Sequence, residues 1–284
     1  MSNAILLVHC PDQPGLVATV AAWIQRHRGN IVDLEQHVDA ASDTFVLRAE
    51  WTLDGFALGR DDIGATFARE VGDAHAMGSE VYFTDERPRV ALFVSRLSHC
   101  LYDLLSRVDA GELPMDVPVI VSNHDRLRPV ADRFGIPYAH IPVTRQTKSV
   151  AEADQQRLLA DHGVELVVLA RYMQILSDGF VDRWQQQIIN IHHSFLPAFA
   201  GARPYHRAFE RGVKIVGATS HYVTADLDEG PIIAQDVVHV SHRDTVDDLV
   251  RKGRDTEKLV LARAVRAHIE RRVLVVDGRT TVFG

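Results

Sequence analysis

Four polar side chains crowd the point where an apolar run ends: Asn190, His192, His193 and Ser194 lie in "QQIINIHHSFLP". A second polar group follows in "ATSHYVTADLDEGPII", where His221, Asp226 and Asp228 precede a Gly230-Pro231 pair that forces a turn. An amide and a protonated imidazole can donate to an oxyanion, and a carboxylate can orient a nucleophile or take its proton. Asn190, His192 and Asp228, if two loops bring them together, therefore suit attack on an acyl carbon. Plainer roles compete with this one. Asn190 could simply end a strand, and His206 and His221 read as loop supports. For His193, a hydrogen-bonded structural ring and a part in excluding an amine acceptor both stand. His192 and His193 are adjacent rather than one helical turn apart, and no H-x-x-x-H pair sits on a helix, so no metal site is expected.

The elements that must position these groups fall into two patterns. Residues 4–10, "AILLVHC", read as a strand, and Leu16, Val20, Trp23 and Ile24 then share one helical face closed by Gly29-Asn30. "IVDLEQHVDA" and "TFVLRAEWTL" read as strands, followed by a helix over 57–74 and a strand over 79–85. That order, βαββαβ, predicts a ferredoxin-like domain over 1–85. After the charged linker "DERPR" the apolar runs stop alternating: "VALFVS" (90–95), "VPVIVS" (117–122), "VELVVLA" (164–170) and "QIINI" (187–191), with helical segments such as 149–163 between them. Strands buried on both faces and separated by helices predict a doubly wound, mostly parallel α/β domain over 86–284. "KIVGATSHYVT" and "PIIAQDVVHV" add a later pair of strands, 245–272 a closing helix, and "VLVV" a final edge strand. Ligands of such sheets bind beyond the carboxyl ends of strands, where Asn190–Ser194 falls.

Composition narrows the classes. The chain has 284 residues, 24% charged, and a net charge of −7 without a basic stripe, which disfavours nucleic acid or an anionic membrane as partner. No apolar run approaches a membrane span, and no signal peptide is recognisable. Only Cys10 and Cys100 are present, so neither a disulfide framework nor a cysteine zinc site is expected. Cys100 opens a predicted helix, where a packed thiol is the expectation. A cytoplasmic protein follows. The opening Met-Ser-Asn-Ala is left out of the fold assignment.

Two resemblances add to this. "CPDQPGLVATVAAWI…GNIVDLEQ" resembles the ACT domain, a regulatory module that often takes amino acids at dimer interfaces. The resemblance implies an effector site around Asp12, Gln13, Gly15, Leu16, Asn30 and Ile31, although a domain that only mediates association fits the same pattern. "NIHHSFLP" with "HYVTADLDEGPII" resembles the formyltransferase fold of glycinamide ribonucleotide transformylase and methionyl-tRNA formyltransferase: Asn190, His192, Ser194 and Pro197 match its Asn-x-His-x-Ser-x-x-Pro, and Asp228 fills the position of its aspartate. "LARYMQILSDGFV" is similar to the segment that holds a folate pterin, which implies substrate contacts from Arg171, Tyr172, Met173, Gln174, Ile175 and Leu176, and from Val223 and Asp226 opposite.

One departure bears on activity. Glycinamide-using relatives cradle the substrate phosphate on a glycine-rich loop after the first strand, but here no glycine occurs from Ser95 through Leu105. With the ACT-like module and "NIHHSFLPAFAGARPYHRA", the chain resembles the formyltetrahydrofolate deformylase family. The resemblance implies hydrolysis of 10-formyltetrahydrofolate to formate and tetrahydrofolate, which feeds purine synthesis and balances folate pools. It implies Asn190, His192 and Asp228 as catalytic residues, the folate as substrate with no permanently bound cofactor, and a homo-oligomer. A transferase with an unidentified amine acceptor, or a non-catalytic folate or amino-acid sensor, would share these features.

Overall fold

The computed structural model describes residues 2–198 and 204–284, so part of the loop after Pro197 lies outside the described residues. Contacts divide the chain into two compact units, Met1–Arg87 with Glu270–Gly284, and Pro88–Ile269.

The first unit runs β1 (Asn3–Pro11), α1 (Leu16–Arg26), β2 (Asn30–Asp39), β3 (Thr44–Thr52), α2 (Arg60–Phe67) and β4 (Gly78–Phe83). Its antiparallel sheet has the order β2-β3-β1-β4, the expected ferredoxin-like arrangement. Leu16, Val20, Trp23 and Ile24 are the buried stripe of α1 and pack with Trp51, Ile63 and Phe67. Gly29 is needed by close approach: a Cβ there would come within 2.5 Å of the Ile24 side chain. The helix expected over 57–74 is shorter at its start, because Gly55 (φ +73°) and the extended Gly59 hold the chain in a turn until Arg60. Past Phe67 it continues as a π turn over Ala68–Gly72 and a 3-10 turn over Asp73–His75.

The end of the chain departs from the sequence expectation. Val273–Val276 and Arg279–Val282 form an antiparallel hairpin within the first unit; they add no edge strand to the second sheet. Residues 270–284 thus fall outside the 86–284 domain assigned from sequence. The physical reason is legible in β1, whose residues are buried on both faces. Ala4, Leu6 and Val8 face the helices, while Ile5 and Leu7, with Val46, need a second cover that Leu274, Val276 and Phe283 provide. Arg48, 2% exposed on this sheet, donates from Nε to the Arg271 carbonyl and from its terminal nitrogens to Asp33 and Glu50.

The second unit runs β5 (Val90–Val94), α3 (His99–Asp109), β6 (Ile120–Ser122), α4 (Arg128–Phe134), β7 (Tyr138–His140), α5 (Lys148–Asp161), β8 (Leu166–Leu169), α6 (Asp178–Val181), β9 (Ile188–His192), α7 (Pro204–Arg211), β10 (Ile215–Tyr222), β11 (Ile232–His239) and α8 (Val246–Ile269). The seven-stranded sheet has the order β11-β10-β9-β8-β5-β6-β7. It is parallel from β7 to β9 and turns antiparallel at β10 and β11. The five parallel strands bring their carboxyl ends to one edge, so Ser95, Ala170-Arg171 and Asn190–His193 emerge there together.

Trp23 is fully buried, meets Trp51 and Phe67 edge to face, and donates from Nε1 to Glu70. Trp23→Ala is expected to cost about 3–5 kcal/mol, read as a lower urea midpoint for loss of far-UV circular dichroism; a loss below about 1 kcal/mol would contradict this packing.

Candidate active site

Residues alternate faces along a strand, so Asn190 and His192 point to one side of β9, and Ile189 and Ile191 to the other. The antiparallel register sets Asn190 opposite His221 and His192 opposite Thr219, which gathers all four on one face. Thr219 fixes the segment leaving β9: its hydroxyl donates to the Ser194 carbonyl and accepts from the Leu196 amide. Ser220 ties back to the Asn190 carbonyl at 3.0 Å.

Asp228 arrives from the loop between β10 and β11. His192 Nδ1 lies 3.1 Å from Asp228 Oδ1, and His221 Nε2 lies 3.8 Å from the same oxygen. Two backbone features aim that carboxylate. Asp228 is left-handed (φ 61°), which aspartate tolerates better than most residues. Gly230 packs so closely that a Cβ would lie 1.8 Å from the Tyr222 carbonyl oxygen. The turn read from Gly230-Pro231 therefore does its work through an absent side chain as well as through proline.

Hydrogen bonding assigns the rings. His221 Nδ1–H donates to the Tyr222 carbonyl at 2.8 Å, leaving Nε2 to accept from the Asn190 amide nitrogen at 3.3 Å. This fixes which end of Asn190 is NH2, and its second N–H remains for a ligand. His192 Nδ1–H points at Asp228, and His192 Nε2 is buried without a partner among the described residues. The hydrogen bond from His192 holds the Asp228 carboxyl below its usual range, with burial opposing and the neighbouring imidazoles assisting. Burial pushes His221 down, although the Tyr222 carbonyl and Asp228 oppose it. Burial also pushes His193 down to about 4, aided by Arg171 and His192, so that ring is neutral at pH 7.

The constellation opens on a cavity of about 390 Å³. Every residue expected to touch substrate lines it: Arg171 to Leu176 on one side, Val223 and Asp226 on the other, with Asn190, His192 and Asp228 at the end. Thr224, Ala225 and Leu227 belong to the same wall but carry no sequence signal beyond their place in the loop. His221, read from sequence as a loop support, is in contact with Asn190. Arg171 shares the left-handed backbone of Asp228 (φ 65°), an unfavourable conformation for an arginine that the close of β8 imposes.

The loop after β5 offers no anion cradle. Ser95 is buried, donates to Asn123 at 2.6 Å and accepts from the Met173 amide. Arg96 Nε points to His124 at 3.2 Å. His99, at the start of α3, reaches Glu257 on α8 at 2.7 Å. Glu257 was missed from the sequence, yet a signal existed: it is an acid on the buried stripe Leu249, Gly253, Thr256, Val260, Leu261 and Ala264. His99, Cys100 and Glu257 are the group of potential metal ligands found among the described residues. Their donor capacity is already engaged, since Glu257 accepts from His99 and Tyr205, and burial pushes the Cys100 thiol well up.

In the first unit, Asp12, Gln13, Gly15 and Leu16 line a shallow cavity of about 490 Å³ with Gln36, Val38 and Phe45. Asn30 and Ile31 do not join them. They start β2 opposite Thr52 and Trp51, whereas the cavity lies at the other end of that strand, where Val38 meets Phe45.

Known proteins match both units. The formyl transferase family model matches residues 88–265 and the ACT domain model residues 4–68. A formyltetrahydrofolate deformylase of Synechocystis sp. is 54% identical over 281 residues, 99% of this chain and 98% of its own. A crystal structure of a formyltetrahydrofolate deformylase from Pseudomonas syringae superposes with TM-score 0.97 at 46% identity, over 100% of this chain and 95% of that one. Glycinamide ribonucleotide transformylase 1 from Symbiobacterium toebii reaches TM-score 0.66 at 32% identity over 72% of this chain and 97% of its own.

Two outcomes follow from the geometry. Gly230→Ala is expected to push the 223–229 loop off Tyr222 and make it a site of limited proteolysis; an unchanged cleavage pattern would contradict the close packing. Because the folded chain refuses a proton at His193 that the unfolded chain accepts, His193 lowers stability as pH falls from about 6.5 toward about 4 and has no effect above that window. His193→Asn should therefore show a shallower fall in urea midpoint between pH 7 and pH 4.5 than wild type, and equal slopes would refute the neutral ring.

Proposed function

The chain belongs to the formyltetrahydrofolate deformylase family, and from that premise we propose that it hydrolyses the formyl C–N bond of 10-formyltetrahydrofolate, giving formate and tetrahydrofolate. The observation that carries the proposal is the direct contact of His192 Nδ1 with Asp228 Oδ1 at 3.1 Å, beside the Asn190 amide. That pairing lines the same cavity of about 390 Å³ as Arg171–Leu176, the wall against which a pterin would lie.

The chemistry then runs through His192. Asp228, ionised across the working pH range, holds the imidazole with hydrogen on Nδ1 and the lone pair of Nε2 toward the cavity end. A water attacking the formyl carbon gives its proton to Nε2. The free N–H of Asn190 donates to the oxyanion, while His221 keeps the amide from flipping. Collapse breaks the C–N10 bond, and the proton on Nε2 passes to N10 as tetrahydrofolate leaves. Of the two roles open to a carboxylate, orienting the nucleophile or taking its proton, the contact of Asp228 Oδ1 with His192 favours a proton relay through the imidazole. An intact His192–Asp228 pair at an enclosed cavity disfavours a non-catalytic sensor, and the filled loop after β5 disfavours a phosphorylated amine acceptor.

The proposal extends to the folate as the only small molecule required, with no permanently bound cofactor or metal, and to formate supplied for purine synthesis. It extends also to a cytoplasmic enzyme, in keeping with Cys10 and Cys100 both unpaired and buried. In the first unit, β2 and β4 are edge strands that a second copy can pair with to form a homo-oligomer, and the cavity at Asp12–Leu16 suits an amino-acid effector.

Incubation with 10-formyltetrahydrofolate alone tests the reaction, since a transferase waits for an acceptor and a sensor gives no turnover. Asn190→Ala and Asp228→Asn are each expected to cut formate release about 10²–10³-fold while folate binding stays within a few-fold. Either variant keeping more than about a tenth of wild-type turnover, a loss under 1.4 kcal/mol, removes these residues from the mechanism.

A further inference from the structure

The wall from Arg171 to Leu176 is neither helix nor strand, and Met173 and Ile175 are 57% and 62% exposed, so little apolar burial of their own holds it. Among the described residues, the peptide groups of Gln174, Ile175 and Leu176 enter no backbone hydrogen bond and stay free for a ligand. Side chains of α5 fix this stretch. The buried residues of that helix are Ala151, Glu152, Gln155 and Leu159, and two of these four are polar. Glu152 and Gln155 are three positions apart and share one face. Gln155, fully buried, donates from Nε2 to the Tyr172 hydroxyl at 2.9 Å. Glu152, 9% exposed, accepts from the Ser177 amide at 2.9 Å and from the Ser177 hydroxyl. One helix thus holds the chain on either side of Met173–Leu176. Ser95 adds a further hold at the Met173 amide, 3.0 Å away, and Phe93 meets the Tyr172 ring edge to face with centroids 5.2 Å apart.

We propose that Glu152 and Gln155 are the positioning residues of the substrate wall, fixing both ends of Met173–Leu176 so that its free peptide groups meet the pterin in one geometry. The inference rests on the hydrolytic function proposed above and adds what holds its binding surface in place. Neither residue lines the cavity, so both act through others. A buried amide or carboxyl is tolerated when it is hydrogen-bonded, and apolar side chains would fill the same face of α5 without that requirement. Their partners are Tyr172 in the wall and Ser177 directly after it. What the two polar groups add is therefore the place of that stretch rather than the packing of the helix. The pterin is joined to N10 through a methylene and does not itself react, so a looser wall weakens the binding of substrate and transition state alike. The loss falls on KM and spares kcat.

The test is the division of the effect between KM and kcat for formate release from 10-formyltetrahydrofolate alone, with the Kd of tetrahydrofolate read by calorimetry on the same proteins. Gln155→Met keeps the length of the side chain and removes its donor. Glu152→Ala removes both bonds to Ser177, whereas Glu152→Gln keeps an oxygen for the Ser177 amide. Gln155→Met is expected to raise KM and Kd about fivefold and Glu152→Ala about tenfold, each with kcat within about twofold of wild type. Glu152→Gln is expected to bring both constants back to within about threefold of wild type. Beside Tyr172→Phe, Gln155→Met is expected to add less than about twofold, because the hydroxyl through which it acts is gone. Partial unfolding lowers the active fraction, and with it the apparent kcat, but leaves KM unchanged, so a merely structural role is told apart. If Glu152→Ala yields no folded protein, Ser177→Ala and the cycle of Gln155→Met with Tyr172→Phe decide. The proposal is overturned if folded variants keep the wild-type KM and Kd, if Glu152→Gln is as impaired as Glu152→Ala, or if Gln155→Met costs as much beside Tyr172→Phe as alone. Failure of wild type to release formate would instead remove the hydrolytic function, while the Kd comparison would still test the wall.

Discussion

The antiparallel pairing of β9 with β10 is the constraint on which the site depends. A parallel neighbour would have placed the end of β10 beside the end of β9 and sent its following loop the same way. The reversed strand instead puts His221 across from Asn190 and Thr219 across from His192, so two strands contribute to one polar face. A slip of one residue would turn Asn190 and His192 into the opposite layer and bring Ile189 and Ile191 to the cavity. The apolar burial of Ile189 and Ile191 therefore holds the catalytic face in register. Packing in the core and chemistry at the edge are consequences of one pairing.

The loop from β10 to β11 carries the remaining group, and here the backbone bears a local cost. Asp228 and Arg171, on opposite walls of the cavity, are both left-handed without being glycine. Conformations of this kind persist where surrounding contacts over-determine them. For Asp228 these contacts are the His192 ring and the Gly230 approach to Tyr222. For Arg171 they are the turn that closes β8, where its amide and that of Ala170 bond to Leu169 and Phe93, and the carboxylate of Glu257. Asp228 is held by an imidazole N–H and Arg171 faces a carboxylate, which keeps the carboxylate and the guanidinium in place before substrate arrives.

Much of this was legible in the sequence because it is carried by short-range pattern. The stripe Leu16, Val20, Trp23 and Ile24 declared α1, the unbroken β-branched runs declared buried parallel strands, and Asn190, His192 and Asp228 declared a polar convergence at a strand end. What escaped depends on contacts between distant segments. The closing hairpin reads as one more strand of the nearer sheet, and only the two-sided burial of Ile5 and Leu7 shows which surface lacks a cover. Asn30 and Ile31 sit near the Asp12–Leu16 turn in pattern but at the other end of β2 in space. The direct link of His192 to Asp228 could not be separated from a water-bridged one by spacing. Glu257 interrupts an otherwise apolar helical stripe, a signal that an acid must be buried but not of what partners it finds.

The charges around the chamber explain why its two carboxylates serve different ends. Asp228 is partly exposed and meets imidazoles, whose own charge can change as a proton moves through His192, so its field follows the reaction. Glu257 is shut away; burial alone would push its carboxyl up, but the His99 hydrogen bond and the Arg171 charge outweigh that and keep it ionised. Its field is constant. His193 lies between the two and is held neutral by burial, so it adds no positive charge beside His192. A charged His193 would sit 5.0 Å, ring to ring, from the imidazole that must gain and lose a proton, and would make the gain harder. The neutral ring thus separates the His192–Asp228 hydrogen bond at the cavity from the fixed ion pair of Glu257 and Arg171 behind it.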